Sequence, residues 1–92
     1  MTGTLLGNIT DSSGGAVPGA TVTATDVGKN ISRNIATNES GYYIFTSLPS
    51  GTYTVEAELQ GFKKMARQGV KVDVNTALIL VEHQIIEWSR PG

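Results

Sequence analysis

The chain has 92 residues, a net charge of −1 and no cysteine. This length accommodates one domain, the charge argues against a nucleic-acid binder, and the lack of cysteine excludes disulfides and thiolate metal sites. Charged residues make up 16% of the chain, below the about 25% that is usual in soluble domains. Thr, Ser, Asn and Gly take their place, which favours short strands joined by tight turns.

The first three predicted strands cover residues 4–10, 20–26 and 31–37. Apolar and polar residues alternate along them, whereas helical periodicity is weak throughout the chain. The side chains predicted to face inward are Leu5, Gly7 and Ile9 in the first strand and Ala20, Val22 and Ala24 in the second. In the third strand Arg33 lies on the same side as Ile31 and Ile35, so we expect that face to be only partly buried.

The stretch "NESGYYIFTSLPSGTYTV", residues 38–55, predicts two further strands around a fixed corner. Alternation places Tyr43 and Phe45 on one face of strand 42–46, and Tyr42 and Ile44 on the other. Leu48 and Pro49 form the corner, after which Tyr53 points inward. We therefore expect the rings of Tyr43, Phe45 and Tyr53 to converge on one side of the two strands.

Two strands close the predicted domain. The strand near 69–74 directs Val70, Val72 and Val74 inward, and the strand 77–84 is apolar on both faces. The longest apolar run, "ALILV" at 77–81, is too short to span a bilayer, so we expect no direct membrane insertion. The start "MTGTLLGNIT" has no signal-peptide pattern, so any export signal is expected outside these residues. We predict a domain at 1–84 and a tail or linker at 85–92.

Three segments of the chain resemble a known family. "GNITDSSGGAVPGATVTATD" is similar to the opening of carboxypeptidase regulatory-like domains, "NESGYYIFTSLPSGTYTVEAELQGFKK" resembles their central signature, and "GVKVDVNTALIL" matches their closing strands. The resemblance runs in consistent order from about residue 3 to 80. After residue 80 the sequence departs from the family's alternation, because "LILVEHQIIEW" is apolar on both faces.

The resemblance implies a seven-stranded antiparallel β-sandwich with a transthyretin-like Greek-key topology, in the carbohydrate-binding-like fold group. Such modules occur beside metallocarboxypeptidase domains, in surface proteins, and at the N-terminus of TonB-dependent outer-membrane receptors. The "DSSGGAVPGATV" version looks most like the receptor-associated and Oar-like bacterial copies. The family's modules have no catalytic residues of their own, so the resemblance carries over no catalytic site.

The residues themselves predict no catalytic, cofactor or metal site. His83 is the only histidine, and a metal site needs several converging ligands. Calcium takes oxygen ligands, but the spacing of the candidates fits no calcium loop; these candidates are Asp11, Asp26, Asn38, Glu39 and Asp73. An internal Lys–Asn isopeptide bond, known from similar sandwiches, is also not expected, because the first strand "TLLGNIT" contains no lysine.

Carbohydrate binding needs exposed aromatic rings beside polar groups. Tyr42 is predicted to point out of the core and Trp88 lies in the predicted tail, so these two residues are candidate ligand-facing aromatics. The name of a fold group is no evidence for sugar binding, since fold does not determine function.

The last strand must cover its second apolar face. It can pair with another copy, exchange between subunits or cover the domain's own edge, and the sequence leaves these alternatives open. We expect a non-catalytic, extracytoplasmic spacer or protein-interaction module of a larger bacterial envelope protein, for example a TonB-dependent receptor. The alternative is a carbohydrate- or peptide-binding accessory module. Its expected partners are other domains of the parent protein, and no nucleic acid.

Overall fold

The computed structural model describes residues 2–73 and 78–87 as two β-sheets that pack face to face. One sheet has three strands in the order β4-β1-β7, and the other has four in the order β3-β2-β5-β6. The strands are β1 (Thr2–Asp11), β2 (Thr21–Asp26), β3 (Ile31–Ala36), β4 (Tyr42–Pro49), β5 (Gly51–Glu58), β6 (Met65–Val72) and β7 (Leu78–Ile86). The predicted all-β sandwich is confirmed.

The core lies between the sheets and is built by alternation. Burial alternates along β1, β2 and β5 as the sequence predicts, and β4 buries Tyr43, Phe45 and, after a shift by one residue, Leu48. The largest fully buried side chains are Leu5, Ile9, Val22, Leu48, Val55, Gln84 and Ile86. Among the described residues, no helix has the length and apolar composition needed to cross a bilayer.

The three-stranded sheet is mixed rather than purely antiparallel. β1 pairs antiparallel with β4 but parallel with β7, with Leu6 opposite both Ile44 and Leu80. The prediction of an antiparallel sandwich is therefore wrong for this pair. No hairpin joins β1 to β7, and strands without a short connection are free to run in the same direction.

The three aromatic rings are buried, but they do not lie on one side of two neighbouring strands as predicted. β4 and β5 belong to different sheets, because the corner after Pro49 carries the chain across the sandwich. Tyr43 and Phe45 thus face inward from one sheet, with an edge-to-face contact at 5.8 Å between ring centroids, and Tyr53 faces inward from the other. The Tyr53 hydroxyl donates to the Pro49 carbonyl at 2.7 Å and fixes this corner.

The turn before β4 has the predicted chemistry. The side-chain Oδ1 of Asn38 accepts hydrogen bonds from the backbone N–H groups of Ser40 and Tyr42, both at 2.9 Å. Gly41 has φ +78°, and a Cβ there would lie 2.5 Å from the Ile9 carbonyl oxygen. A glycine is therefore required for both conformation and space.

The last two strands differ from their predicted bounds. β6 begins at Met65 rather than near residue 69, because its polar first half pairs with β5 although it shows no alternation in sequence. β7 extends to Ile86, so Ile85 and Ile86 belong to the strand and not to a tail. Val74, the predicted turn near 75–76, and Trp88 lie outside the described residues.

The inward side of β3 is more exposed than predicted. Arg33 does share a side with Ile31 and Ile35, since these residues pair with Ala24, Asp26 and Val22 of β2. All of β3 is exposed, however. The four-stranded sheet is one strand wider than the sheet above it, so β3 protrudes beyond β4 and no strand covers it.

Candidate functional site

The outward side of the three-stranded sheet carries apolar side chains on all three strands, interspersed with the polar Thr4, Asn8 and Thr10 of β1. Leu6 of β1 lies at its centre, with Ile44 of β4 on one flank and Leu80 of β7 on the other. Tyr42 beside Asn8, Leu78 beside Thr4 and Ile85 beside Thr10 extend the surface along the strands. We call this surface the outer apolar face; it consists of Leu6, Tyr42, Ile44, Leu78, Leu80 and Ile85.

Five of these six side chains are about half exposed, between 49% for Ile44 and 57% for Leu78, and Leu6 is partly buried among them. Full burial of such a side chain is worth about 1.5–3 kcal/mol. Covering the exposed halves of five would contribute on the order of 5 kcal/mol before the entropy cost of association. A contiguous face of this kind typically marks an interaction surface.

β7 presents apolar residues on both sides because residues 78–81 are an unbroken apolar run, and a register shift then sets the direction of the second half of the strand. The pairing with β1 passes from Gly7–Val81 to Ile9–Gln84, so two residues of β7 lie opposite one residue of β1. This bulge keeps Val81, Gln84 and Ile86 facing inward while Ile85 faces outward. The sequence prediction of two apolar faces is confirmed for the described side chains.

Tyr42, the first predicted ligand-facing aromatic, is half exposed on the outer apolar face. Its polar neighbours are already engaged: the Asn8 amide donates to the Ser40 carbonyl at 3.0 Å, and the Asn38 side chain holds the turn. Trp88, the second predicted aromatic, lies outside the described residues, so whether the two meet stays untested. On this surface Tyr42 lies beside Asn8 of β1 and next to Ile44 of its own strand.

The side of the sandwich between β3 and β4 carries two small depressions, one on each side of Arg33. The Arg33 guanidinium crosses from β3 to β4 and donates to the carbonyl oxygens of Thr46 at 2.8 Å and Ser47 at 3.2 Å. On one side lies a cavity of about 110 Å³ lined by Ile31, Leu48 and Tyr53, with Asp26 beside it. On the other lies an open groove of about 360 Å³ between Ile35 and Ile44.

Asp11 and Asp26, two of the acidic calcium candidates, serve as turn formers. Oδ1 of Asp11 accepts from the backbone N–H groups of Ser13 and Gly15 and from the Ser13 hydroxyl, and these bonds hold the pKa of this exposed carboxyl below its usual range. Oδ1 of Asp26 accepts from the backbone of Gly28 and Lys29. Among the side chains that the structure describes, which exclude Glu82 and His83, no three His, Cys, Asp or Glu residues are grouped as metal ligands would be.

A buried polar pair lies inside the three-stranded sheet. The Tyr43 hydroxyl donates to Oε1 of Gln84, and the ring occupies the space that a side chain at Gly7 would need. Burial raises the pKa of the Tyr43 hydroxyl well above its usual range, so this phenol stays protonated and is a poor nucleophile. An inward-facing amide is thus present on the last strand, but β1 provides no lysine to form an isopeptide bond with it.

The sequence model of the carboxypeptidase regulatory-like domain matches residues 4–82. The match covers most of the chain, includes all of the strand signatures named above and agrees with the two-sheet fold. The chain therefore belongs to the carboxypeptidase regulatory-like domain family. No curated protein sequence matches it.

Solved structures share the fold at low sequence identity. BcpA, the major pilin subunit of Bacillus cereus, matches with a TM-score of 0.74 at 17% identity, over 97% of this chain and 31% of BcpA. PA1324 of Pseudomonas aeruginosa, a suggested carbohydrate binding protein, matches with a TM-score of 0.61 at 16% identity, over 89% of this chain and 88% of PA1324. A 3-chlorocatechol 1,2-dioxygenase of Rhodococcus opacus 1CP matches with a TM-score of 0.56 at 10% identity, over 96% of this chain and 59% of the enzyme.

The chain spans between 16% and 41% of the length of four solved structures that it matches, BcpA among them. At these identities the likeness shows the fold alone. The same two-sheet architecture is present in a pilin subunit and in an enzyme, so function must be argued from this chain's own residues.

Sequence reasoning found both flanks of the outer apolar face but not their union. The unusual β7 pattern predicted a second apolar side at Leu78 and Leu80, and alternation placed Tyr42 and Ile44 on the outward side of their strand. Leu6 was not assigned to the same surface. Only the strand order, which places β1 between β4 and β7, brings the three rows together.

Proposed function

We propose that this chain is a non-catalytic accessory module of a larger bacterial cell-envelope protein and that it binds a neighbouring protein surface. The outer apolar face carries this proposal. Its six members come from three strands and form one surface, whereas the outward side of the four-stranded sheet is polar. The largest apolar patch on a small monomer is often functional, and this supports docking over a role as a spacer alone.

Two observations support a non-catalytic role. The family has no catalytic residues that this sequence could match. The buried Tyr43 hydroxyl stays protonated because burial raises its pKa, so it is a poor nucleophile. The larger of the two depressions beside Arg33 is lined by aliphatic and aromatic residues and by Asn38, without a titratable acid or base that could act at neutral pH. The dioxygenase likeness is a likeness of fold and supports no reaction here.

The proposed location is extracytoplasmic, at the cell surface or outer membrane. It is supported by the resemblance in fold to a pilin subunit and to a suggested carbohydrate binding protein. A TonB-dependent receptor is our specific proposal for the parent protein. The full gene provides a test: a signal peptide upstream and a barrel downstream are expected, and a gene that encodes only these 92 residues contradicts the proposal.

Hydroxyl-radical footprinting tests the docking role. Ile44 and Leu80 should react readily in the 92-residue chain and several-fold more slowly in the complete polypeptide that contains it. Val27 is 59% exposed and lies away from the outer apolar face, so it serves as the internal control. Equal reactivity of Ile44 and Leu80 in the two preparations contradicts the proposed function.

The alternative function is carbohydrate binding through Tyr42. It is favoured by the half-exposed ring and disfavoured by the aliphatic neighbours and engaged amides around it. A glycan array, repeated with Tyr42→Ala and Trp88→Ala, separates the two functions. Binding that is lost in both variants supports the alternative.

A further inference from the structure

The groove between β3 and β4 continues the outer apolar face around the edge of the sandwich. It lies between Ile35 of β3 and Ile44 of β4, and Leu6 and Tyr42 line it together with Asn38. Leu6, Tyr42 and Ile44 are therefore shared between the groove and the outer apolar face. With a volume of about 360 Å³ and an open mouth, the groove has room for one bulky side chain of a partner.

The chemistry of the groove selects an uncharged partner group. Its lining consists of Leu6, Ile35, Ala36, Asn38, Tyr42 and Ile44 with the edge of the Tyr43 ring, and none of these carries a charge at neutral pH. A charged group inserted between Ile35 and Ile44 would lose its hydration without gaining a counter-ion. An aliphatic or aromatic side chain would instead bury the exposed parts of both isoleucines.

The backbone beside the groove is closed to an added β-strand. Tyr42 donates its N–H to the Asn38 side chain and accepts from the Asn38 N–H at 2.9 Å. The carbonyl oxygens of Thr46 and Ser47 accept from Arg33. By alternation along β4, the edge groups of Ile44, between these positions, are also directed outward. A partner therefore contacts this side through side chains and not by extending the sheet.

The size of the surface favours a tethered partner over a second copy. Three strands about 4.8 Å apart, with about 3.3 Å per residue along the nine residues of β7, give a face on the order of 400 Å². A standard interface between separate proteins buries about 800 Å² on each partner. Interfaces between domains of one chain begin at about 300 Å² per side, and tethering raises the effective concentration to about the millimolar range.

We propose that the occupant of this surface is a neighbouring folded domain of the same polypeptide, which inserts one uncharged bulky side chain into the groove between Ile35 and Ile44. This inference rests on the proposed docking function and adds its partner and its anchor point. The rest of the contact is made by the aliphatic residues of the outer apolar face.

The first test is the oligomeric state of the 92-residue chain. Analytical ultracentrifugation is run from about 10 µM to about 1 mM. The chain should be monomeric up to about 100 µM, because the area is too small for a stable dimer. A dimer that persists at about 10 µM overturns the tethered-domain inference in favour of a second copy. That outcome leaves the proposed docking function intact.

The second test is amide exchange at Ile44 in the complete polypeptide. Covering the groove should slow exchange of the Ile44 N–H by about 10-fold or more relative to the 92-residue chain. Ile35→Lys should abolish this slowing, and the matched control Thr54→Lys, on the outward side of the four-stranded sheet, should preserve it. Circular dichroism confirms that each variant is folded.

The variants also separate the two proposals. If Leu80→Lys exposes Ile44 but Ile35→Lys does not, the face docks without using the groove and the anchor is wrong. If Ile44 exchanges equally fast in the 92-residue chain and in the complete polypeptide, both the inference and the proposed function are contradicted.

Discussion

The outward sides of the two sheets are built from different residues, although both sheets contribute to one core. The four-stranded sheet presents Thr and Glu side chains outward, together with a Lys64–Glu56 ion pair at 2.9 Å. These outward residues are Thr21, Thr23 and Thr25 of β2 and Thr52, Thr54, Glu56 and Glu58 of β5. The three-stranded sheet presents the outer apolar face. The outward side of the four-stranded sheet is polar, as expected for a surface in contact with water, whereas the outward side of the three-stranded sheet carries exposed apolar residues. Burial of the inward sides alone therefore does not explain the composition of this chain.

The comparison also concerns the edges of the sandwich. β3 protrudes beyond β4, and a single arginine crosses this step to the β4 carbonyls. β4 is thereby closed to strand addition while its side chains remain accessible. Native sheets commonly block their edges with charged residues, and here the blocking group leaves the adjacent apolar groove open.

The largest expected effect separates the two sides of a single strand. Phe45→Ala should lower the free energy of unfolding by about 3–5 kcal/mol, because it leaves a cavity between the sheets. Tyr42→Ala, three residues earlier and on the outward side, should lower it by less than about 1 kcal/mol. Urea denaturation of both variants measures the difference. Equal losses would show that the outward side of β4 is as tightly packed as the core.

A smaller loss of stability is expected from a substitution at Gly7, which lies on the inward side of β1, whereas its neighbour Leu6 lies on the outward side. A Cβ at this position would lie 2.6 Å from Cζ of Tyr43 and 2.7 Å from Oε1 of Gln84. Gly7→Ala should therefore destabilise the fold by about 1–3 kcal/mol through overpacking. Thermal unfolding is the measurement, with Gly28→Ala as the control, because the nearest atom there lies 3.5 Å away. A stable Gly7→Ala variant would contradict the position of the Tyr43 ring.

The smallest thermodynamic effect should come from the outward surfaces themselves. Leu80→Lys and Thr54→Lys should each change the free energy of unfolding of the 92-residue chain by no more than about 0.5 kcal/mol. Both substitutions add one positive charge to an outward side, Leu80→Lys on the edge strand β7 and Thr54→Lys on the interior strand β5. Chemical denaturation checks the prediction. A loss of several kcal/mol for Leu80→Lys alone would mean that Leu80 is packed within this chain.

The alternation of the sequence predicts most of the fold. Strands β1, β2, β4 and β5 and their inward residues follow from period two, and the Asn38 turn and Gly41 follow from local backbone chemistry. Three features escape this reasoning because they depend on strand order: the parallel β1–β7 pair, the split of the aromatic rings between sheets, and the exposed step at β3. No local sequence pattern predicts that β1 and β7, which are more than 70 residues apart in the chain, become neighbours.

The candidate site was predictable only in part for the same reason. Tyr42 was singled out as an exposed aromatic, and β7 as a strand with two apolar sides. The two strands form one surface only because Leu6 of β1 lies between them. Ile35, which lines the groove, reads as an inward-facing residue in sequence and is accessible only because the sheet above it is one strand narrower.

Solvent accessibility of individual methyl groups tests the central claim most directly. A soluble paramagnetic probe added to the 92-residue chain should broaden the NMR signals of the methyl groups of Ile44, Leu78, Leu80 and Ile85 strongly and those of Val22 and Val55 weakly. Leu and Ile methyls of the outer apolar face that are as protected as the core valines would contradict the account, because the face would then already be covered within this chain.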